Sequence, residues 1–199
     1  MNKIKNIALF PLNICLLPGE DLPVKIFEPR YKQLINDCEL EHFTFGIPYM
    51  LNNKMQNYGT EVKLNQIVAS NSHGEMVIMV EGVSNFELLR FEDSFNAKLY
   101  SGGSIEVLDL CSEFKDKELL KQIIHYSETM DKDFLSDIKP QNLNAIDVAK
   151  ILNLSSSDKF KFISMKSQQE KENFIRYNLD CLYKLREQEN LLNKDYSLN

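Results

Sequence analysis

The sequence has little glycine and proline, and both are confined to one part of the chain. All seven glycines lie at or before Gly103, and five of the six prolines lie at or before Pro48. Between residues 104 and 199, Pro140 is the single residue of either type. Because glycine and proline mark the turns between short strands, we predict a β-rich first half and a helical second half.

The chain also lacks a long apolar run and an excess of positive charge. The longest strongly apolar run, 7–17, is shorter than the roughly 20 residues of a membrane-spanning helix, and Pro11 and Asn13 interrupt it. No small-residue cleavage site follows it, so we expect a cytoplasmic protein without a signal peptide or a membrane partner. The 23 basic and 29 acidic residues give a net charge of −6, which disfavours nucleic acid as a partner.

Motifs that carry chemistry are missing as well. The four cysteines form no Cys-x-x-Cys pair, and the three histidines lie in no His-Glu-x-x-His sequence, so we predict no metal site. The chain has no phosphate-binding Gly-x-x-x-x-Gly-Lys loop and no Gly-x-Ser-x-Gly elbow. We therefore predict no cofactor and no catalytic residue. A triad of residues distant in sequence stays open, because triads are recognised by geometry.

Apolar patterns predict several short strands and one helix in the first half. The strand runs are 7–12, 22–27, 43–49, 62–68, 76–80, 86–91 and 97–110, with the last one broken at Gly102-Gly103. Strands at this spacing predict a small barrel or sandwich that closes on itself. A helix begins at Pro29 and places Tyr31, Leu34 and Cys38 on one apolar stripe, together with Ile35.

The second half has apolar residues at helical spacing. We predict helices over 118–130, 144–152, 157–165 and from 168 to about 193. Asn144 is a plausible N-cap, and Ser167 with Glu170 matches a capping box. The composition shift places a domain boundary near 112, which gives domains of 1–112 and 113–199.

The first half carries a series of family motifs. The chain reads LFPLN at 9–13, LPG at 17–19 and LPVKIFEPRY at 22–31. It continues with FGI at 45–47, GTEV at 59–62 and VEGVSNF at 80–86, and the helical half contains VAKILNLS at 148–155. This series resembles the N-terminal, substrate-recognition domain of Lon protease. The FEPRY segment is the most specific part of the resemblance.

The resemblance implies an α+β fold. Its first lobe would be a β-rich, PUA-like pseudo-barrel with one helix, followed by an α-helical bundle lobe that ends in a long helix. The complete protease also carries an ATPase module and a Ser-Lys proteolytic domain, to which no motif here corresponds. We therefore expect the stand-alone form of the domain, which is not an enzyme although family names mention a peptidase.

The implied function is non-catalytic binding of unfolded or extended protein segments, with delivery to a separate protease as a further expectation. The alternative is RNA binding, which rests on the PUA-like analogy and is disfavoured by the net charge. Candidate peptide-binding residues lie in three segments that combine apolar and adaptable side chains. They are Leu16, Leu17, Phe27, Arg30, Tyr31, Tyr49, Met50 and Met55. A structural role stays open for the motif residues, with Arg30 tying the helix start to a neighbouring carboxylate or carbonyl.

The missing motifs give the first testable prediction. We expect the purified chain to hydrolyse neither casein nor ATP, because no phosphate loop and no nucleophile–base pair can be assembled from its motifs. Protease and ATPase assays on material from successive purification steps check this. Casein turnover that copurifies with the chain and is lost on replacing one serine or lysine would contradict it.

Overall fold

The computed structural model describes residues 3–110, 115–128 and 143–196, with side chains as far as residue 189. These residues form six strands and five helices. In chain order they are β1 (Ile4–Leu9), β2 (Asp21–Ile26), α1 (Pro29–Glu41), β3 (Phe45–Leu51), β4 (Lys54–Ser70), β5 (Met76–Glu92), β6 (Ser101–Val107), α2 (Lys117–Glu128), α3 (Ala145–Ile151), α4 (Ser156–Ser164) and α5 (Gln168–Tyr196). Cys111, Pro140 and the predicted boundary near 112 lie outside the described residues.

The described residues fall into two compact units. The first lies within Met1–Leu110 and Ser155–Ser164, and the second lies within Cys111–Leu154 and Met165–Asn199. Helix α4 therefore belongs by its contacts to the β-rich unit, although composition groups it with the other late helices. The division into domains of 1–112 and 113–199 stays a prediction.

The strands of the first unit form a ring with one additional strand. The order β6-β1-β3-β4-β5 is closed by pairing between β5 and β6. The first part of β5, residues 76–81, pairs instead with β2. This arrangement, with α1 as the helix between β2 and β3, confirms the predicted α+β class and its β-rich pseudo-barrel.

Two apolar clusters hold the first unit together on opposite faces of its strands. The larger cluster lies beneath α1, whose Tyr31, Leu34, Ile35 and Cys38 are all buried, as the helical stripe predicts. Burial of Leu34 and of Ile35 contributes about 1.5–3 kcal/mol each. The smaller cluster contains Ile7, Leu9, Phe86 and Ile105. Because successive strand residues face opposite sides, Ala8 of β1 belongs to the larger cluster, as does Phe10 just after the strand.

Glycines lie inside long strands, which corrects two predicted breaks. Strand β5 runs through Gly82, and β6 runs through Gly102-Gly103, where the sequence pattern predicts strand ends. A Cβ atom at Gly82 would lie 2.5 Å from the Leu17 carbonyl oxygen, and one at Gly103 would lie 2.2 Å from the Arg90 carbonyl oxygen. These glycines permit close backbone approach rather than a turn.

Residues 10–20, which we call the strap, connect β1 to β2 and cross the strands. The Leu16 amide donates to Thr60 Oγ1 at 3.0 Å, and Asn85 Nδ2 donates to the Leu16 carbonyl at 2.8 Å. The Gly19 amide donates to the Gly82 carbonyl at 2.7 Å. Buried backbone groups of the strap are thus satisfied by strand residues.

Helix α4 is bound to the strap and to β3. Lys159 Nζ lies 2.8 Å from a carboxylate oxygen of Glu20, and Glu20 also accepts the Leu17 amide at 2.7 Å. The Phe160 ring stacks on Tyr49 with centroids 4.6 Å apart. An ion pair and a ring contact therefore explain why α4 groups with the β-rich unit.

The second unit contains α2, α3 and α5. Leu119, Ile123, Ile175 and Leu179 are fully buried, as the apolar stripes predict. Asn144 caps α3 in a capping box with Asp147, and Ser167 with Glu170 forms the predicted box at the start of α5. Arg176 pairs with Asp116, which ties α5 to the residues before α2.

The close approach at Gly82 gives the second testable prediction. Gly82→Ala places a methyl group against the Leu17 carbonyl, and we expect it to lower the free energy of unfolding by about 1–3 kcal/mol. Urea unfolding measures this difference. Val83→Ala, at the next and exposed position, is the control and should change stability little. Equal stabilities of Gly82→Ala and the unsubstituted protein would show that the strap does not approach β5 this closely.

Candidate functional site

Part of β4 has a strand neighbour on one side only. Residues 63–70, which we call the β4 extension, pair with residues 76–81 of β5. The pairing of β3 with β4 ends at Phe45 opposite Val62. In the part of the chain that the structure describes, the other edge of the β4 extension therefore has no strand partner.

The β4 extension, β5 and β2 form a three-stranded sheet with two edges, and the edges differ. The β2 edge contains Pro23, which has no backbone donor. Two residues later it contains Lys25, which is exposed. Proline and lysine are common protections of edge strands. The β4 extension also has an exposed lysine, Lys63, but it contains no proline. Of the two edges, the β4 extension is thus the one with a full set of backbone donors.

A groove lies between the β4 extension and the end of α1. Its volume is about 320 Å³. Its apolar lining consists of Cys38, Phe43, Leu64 and Ile67. Burial, followed by the nearby carboxylates of Asp37 and Glu41, raises the pKa of Cys38 to about 12, so its thiol is neutral and lines the groove as a small apolar group.

Two β-bulges shape this edge. The register with β5 shifts between Leu64 and Gln66 and again between Ile67 and Ala69. The first bulge adds one residue between Leu64 and Ile67, so both side chains turn toward the larger apolar cluster although they are three residues apart. The bulges also limit the length over which another strand could pair with the extension.

A buried ion pair fixes the end of the groove nearest the ring. The Glu61 side chain is 1 % exposed and lies 2.7 Å from Lys5 Nζ. The hydroxyl groups of Thr44 and Ser84 each donate to its carboxylate at 2.7 Å. Burial would raise the pKa of Glu61, but these hydrogen bonds and the Lys5 charge outweigh burial and lower it. The carboxylate is therefore ionised and holds Thr44, a lining residue of the groove.

Four of the eight residues predicted for a binding surface lie in the core. Leu16, Leu17, Tyr31 and Tyr49 are each at most 6 % exposed. Leu16 and Tyr31 belong to the larger apolar cluster, and Tyr49 stacks against Phe160 of α4. In this conformation their side chains stabilise the fold and are not available to a partner.

The other four predicted residues are at least partly accessible. Phe27 is 57 % exposed, and Arg30 is exposed beside it in sequence at the start of α1. Arg30 lies 2.8 Å from the Glu28 carboxylate, which is the structural role the sequence left open. Met50 and Met55 face each other across the β3–β4 turn and are half-buried. A role of these four residues in binding stays a prediction.

The residues of the groove were not among the sequence candidates. Phe43, Leu64 and Ile67 read as ordinary strand residues in the sequence, and His42 reads as a scattered histidine. These residues come together because β4 continues beyond Val62, the residue that pairs with the start of β3. This arrangement depends on pairing between segments that are distant in sequence. The difference in length between β4, with 17 residues, and β3, with seven, is seen only in the structure, and the sequence pattern gives no signal of the free edge.

Within the described ranges 3–110, 115–128 and 143–196, no three His, Cys, Asp or Glu side chains are grouped to hold a metal ion. Over the same residues, none of the helices combines the length and the apolar character needed to cross a bilayer.

Comparison with known families gives a match over most of the chain. The family model described as the ATP-dependent protease La (LON) substrate-binding domain matches residues 6–180. The chain belongs to this family. Its motifs at 9–31 therefore mark a true Lon-type domain, and the resemblance drawn from the sequence is confirmed. No match was found among curated proteins.

Solved Lon domains share the fold. A Lon N-terminal domain protein from Xanthomonas campestris has a TM-score of 0.60 and 22 % identity, and the match covers 84 % of this chain and 94 % of that one. The N-terminal domain of a Mycobacterium avium complex Lon protease has a TM-score of 0.61 and 12 % identity, covering 88 % and 98 %. At these identities the likeness extends to the fold alone.

The ion pair at Glu61 gives the third testable prediction. Because the folded state lowers the pKa of Glu61, its carboxylate stabilises the fold above its ordinary pKa, and this contribution is lost as the pH falls. We expect Glu61→Gln to cost about 1–3 kcal/mol near neutral pH and less at about pH 4, with the cost shrinking further as the pH falls through the lowered pKa. Urea unfolding at both pH values checks this. Glu87→Gln is the control, and a pH-independent loss in Glu61→Gln would contradict the assignment.

Proposed function

We propose that this Lon-type domain binds unfolded or extended protein segments and that the groove holds them by strand addition. The observation that carries the proposal is the edge of the β4 extension, which has no strand partner among the described residues and lies beside a groove with apolar residues in its lining. An extended segment on this edge would gain main-chain hydrogen bonds from β4, and its alternate side chains would enter the groove.

The groove favours weak binding with little sequence selectivity. Main-chain hydrogen bonds do not depend on the side chains of the segment, and Leu64, Ile67 and Phe43 offer apolar contact that many side chains can use. The two bulges restrict pairing to a few residues. We therefore expect dissociation constants in the micromolar range, or about −8 kcal/mol.

Family membership supports two further parts of the proposal. The family is named for substrate binding in a protease, which supports the proposal that this chain binds protein segments. We also propose that the bound segments are passed to a separate protease. Degradation of an unfolded protein by a Lon protease, measured with and without this chain, tests that delivery. The RNA-binding alternative gains no support from the groove, because the adjoining helix carries Asp37, Glu39 and Glu41.

A backbone-modified peptide gives the fourth testable prediction. The probe is a labelled, capped peptide in which valine alternates with glutamine. Two further peptides of the same sequence carry N-methyl groups on alternate amides, one on each edge of the extended chain. We expect the N-methyl groups on the edge that faces β4 to weaken binding at least tenfold, because they remove main-chain donors. The same groups on the opposite edge should have little effect. Equal binding of all three peptides would contradict strand addition.

A variant pair on β4 locates the site. Ile67→Ala removes apolar lining and should weaken binding about tenfold, which corresponds to about 1.4 kcal/mol. Val68→Ala is the matched control, because Val68 is 53 % exposed and does not line the groove. Melting curves establish that both variants fold. If both weaken binding equally, or if neither does, the segment binds elsewhere.

A further inference from the structure

The end of α1 beside the groove is acidic. The last two turns of this helix carry Asp37, Glu39 and Glu41, and its last turn has no basic residue. Asp37 is paired with Lys98 at 2.9 Å. Among the residues that the structure describes, Glu39 and Glu41 have no ion-pair partner. The helix C-terminus adds a negative partial charge at the same place.

A second cavity of about 420 Å³ includes Glu41 of this helix end in its lining. Its lining includes Glu41, Phe43, Phe95 and Tyr100. Phe43 and Thr44 line both the groove and this cavity, so the two adjoin at these residues. Aromatic rings next to a carboxylate form a favourable environment for a lysine or arginine side chain, whose stem packs on the rings while its charge meets the carboxylate.

Titratable groups around this helix end respond to the negative charge. Burial, a hydrogen bond to Asp37 and the nearby carboxylates raise the pKa of Tyr100. A hydrogen bond to Asp37, together with the charges of Asp37 and Glu41, raises the pKa of Lys98. Lys98 is also the basic residue that lines the second cavity, and its pairing with Asp37 leaves Glu41 as the carboxylate open to a ligand.

The direction of an added strand can be derived from the sheet. Both strand partners of β4 are antiparallel to it, and antiparallel pairing is the more stable per residue. An antiparallel segment on the β4 extension would run in the direction of β3 and end near Thr44, where β3 begins. Its C-terminal end would therefore point toward the second cavity.

We propose that the recognised segment is an apolar stretch followed on its C-terminal side by a lysine or arginine, whose side chain enters the second cavity against Glu41. This inference rests on the proposed function, because it adds a charge anchor to strand addition in the groove. The occupant is chosen by charge complementarity between a cationic side chain and the end of α1.

Three capped peptides test the inference on the full chain. They share one core of alternating valine and glutamine and carry lysine at the C-terminal end, lysine at the N-terminal end, or glutamine at both. We expect the C-terminal lysine peptide to bind about fivefold more tightly than the glutamine peptide, with an advantage that declines as salt rises. The N-terminal lysine peptide should bind like the glutamine peptide.

A matched pair of protein variants assigns the effect to the helix end. Glu41→Gln should abolish the advantage of the C-terminal lysine, whereas Glu106→Gln, which lines neither cavity, should preserve it. Equal binding of the lysine and glutamine peptides, a preference for N-terminal lysine, or an advantage that survives in Glu41→Gln would overturn the inference. The glutamine peptide separates the two proposals: if it fails to bind, or binds equally well to Ile67→Ala, strand addition in the groove is wrong as well.

Discussion

The pairing of β4 with β5 is the interaction on which the rest of the first unit depends. Both strands have 17 residues, far more than β1, β2, β3 or β6. One end of this hairpin is completed by β3 and β6 and closes the ring, and the other end is joined by β2. Because the pairing of β3 with β4 ends at Phe45 opposite Val62, the hairpin continues with one edge that no described strand covers, and α1 packs near that edge. The candidate site is thus a direct consequence of unequal strand lengths.

Buried polar groups fix the hairpin at the point where it passes from the ring to the extension. Glu61 binds Lys5, Thr44 and Ser84 on one face, while Thr60 and Asn85 hold the strap at Leu16 on the other. A slip of one residue would move the Glu61 carboxylate to the apolar face. Within the described residues, Asn85 Oδ1 is a buried acceptor without a partner, which is an energetic cost of this junction.

Local features of the sequence predicted the helices well and the strands incompletely. The start of α1 at Pro29 and the caps at Asn144 and Ser167 depend on neighbouring residues, so they could be read directly. The uninterrupted course of β5 through Gly82 depends on the strap, which lies more than 60 residues away in sequence. Likewise, the three-residue spacing of Leu64 and Ile67 arises from a bulge against β5, which sequence periodicity does not reveal. The motif segments at 9–31 identified the family but supplied mainly core residues.

Amide hydrogen exchange with and without the alternating valine–glutamine peptide tests strand addition most directly. The account predicts slower exchange for edge-facing amides within residues 63–70, because the added strand supplies acceptors to them. Amides of β2 should exchange at unchanged rates, since Pro23 and Lys25 protect that edge. Protection confined to β2 or to the Met50–Met55 turn, with residues 63–70 unchanged, would contradict the account.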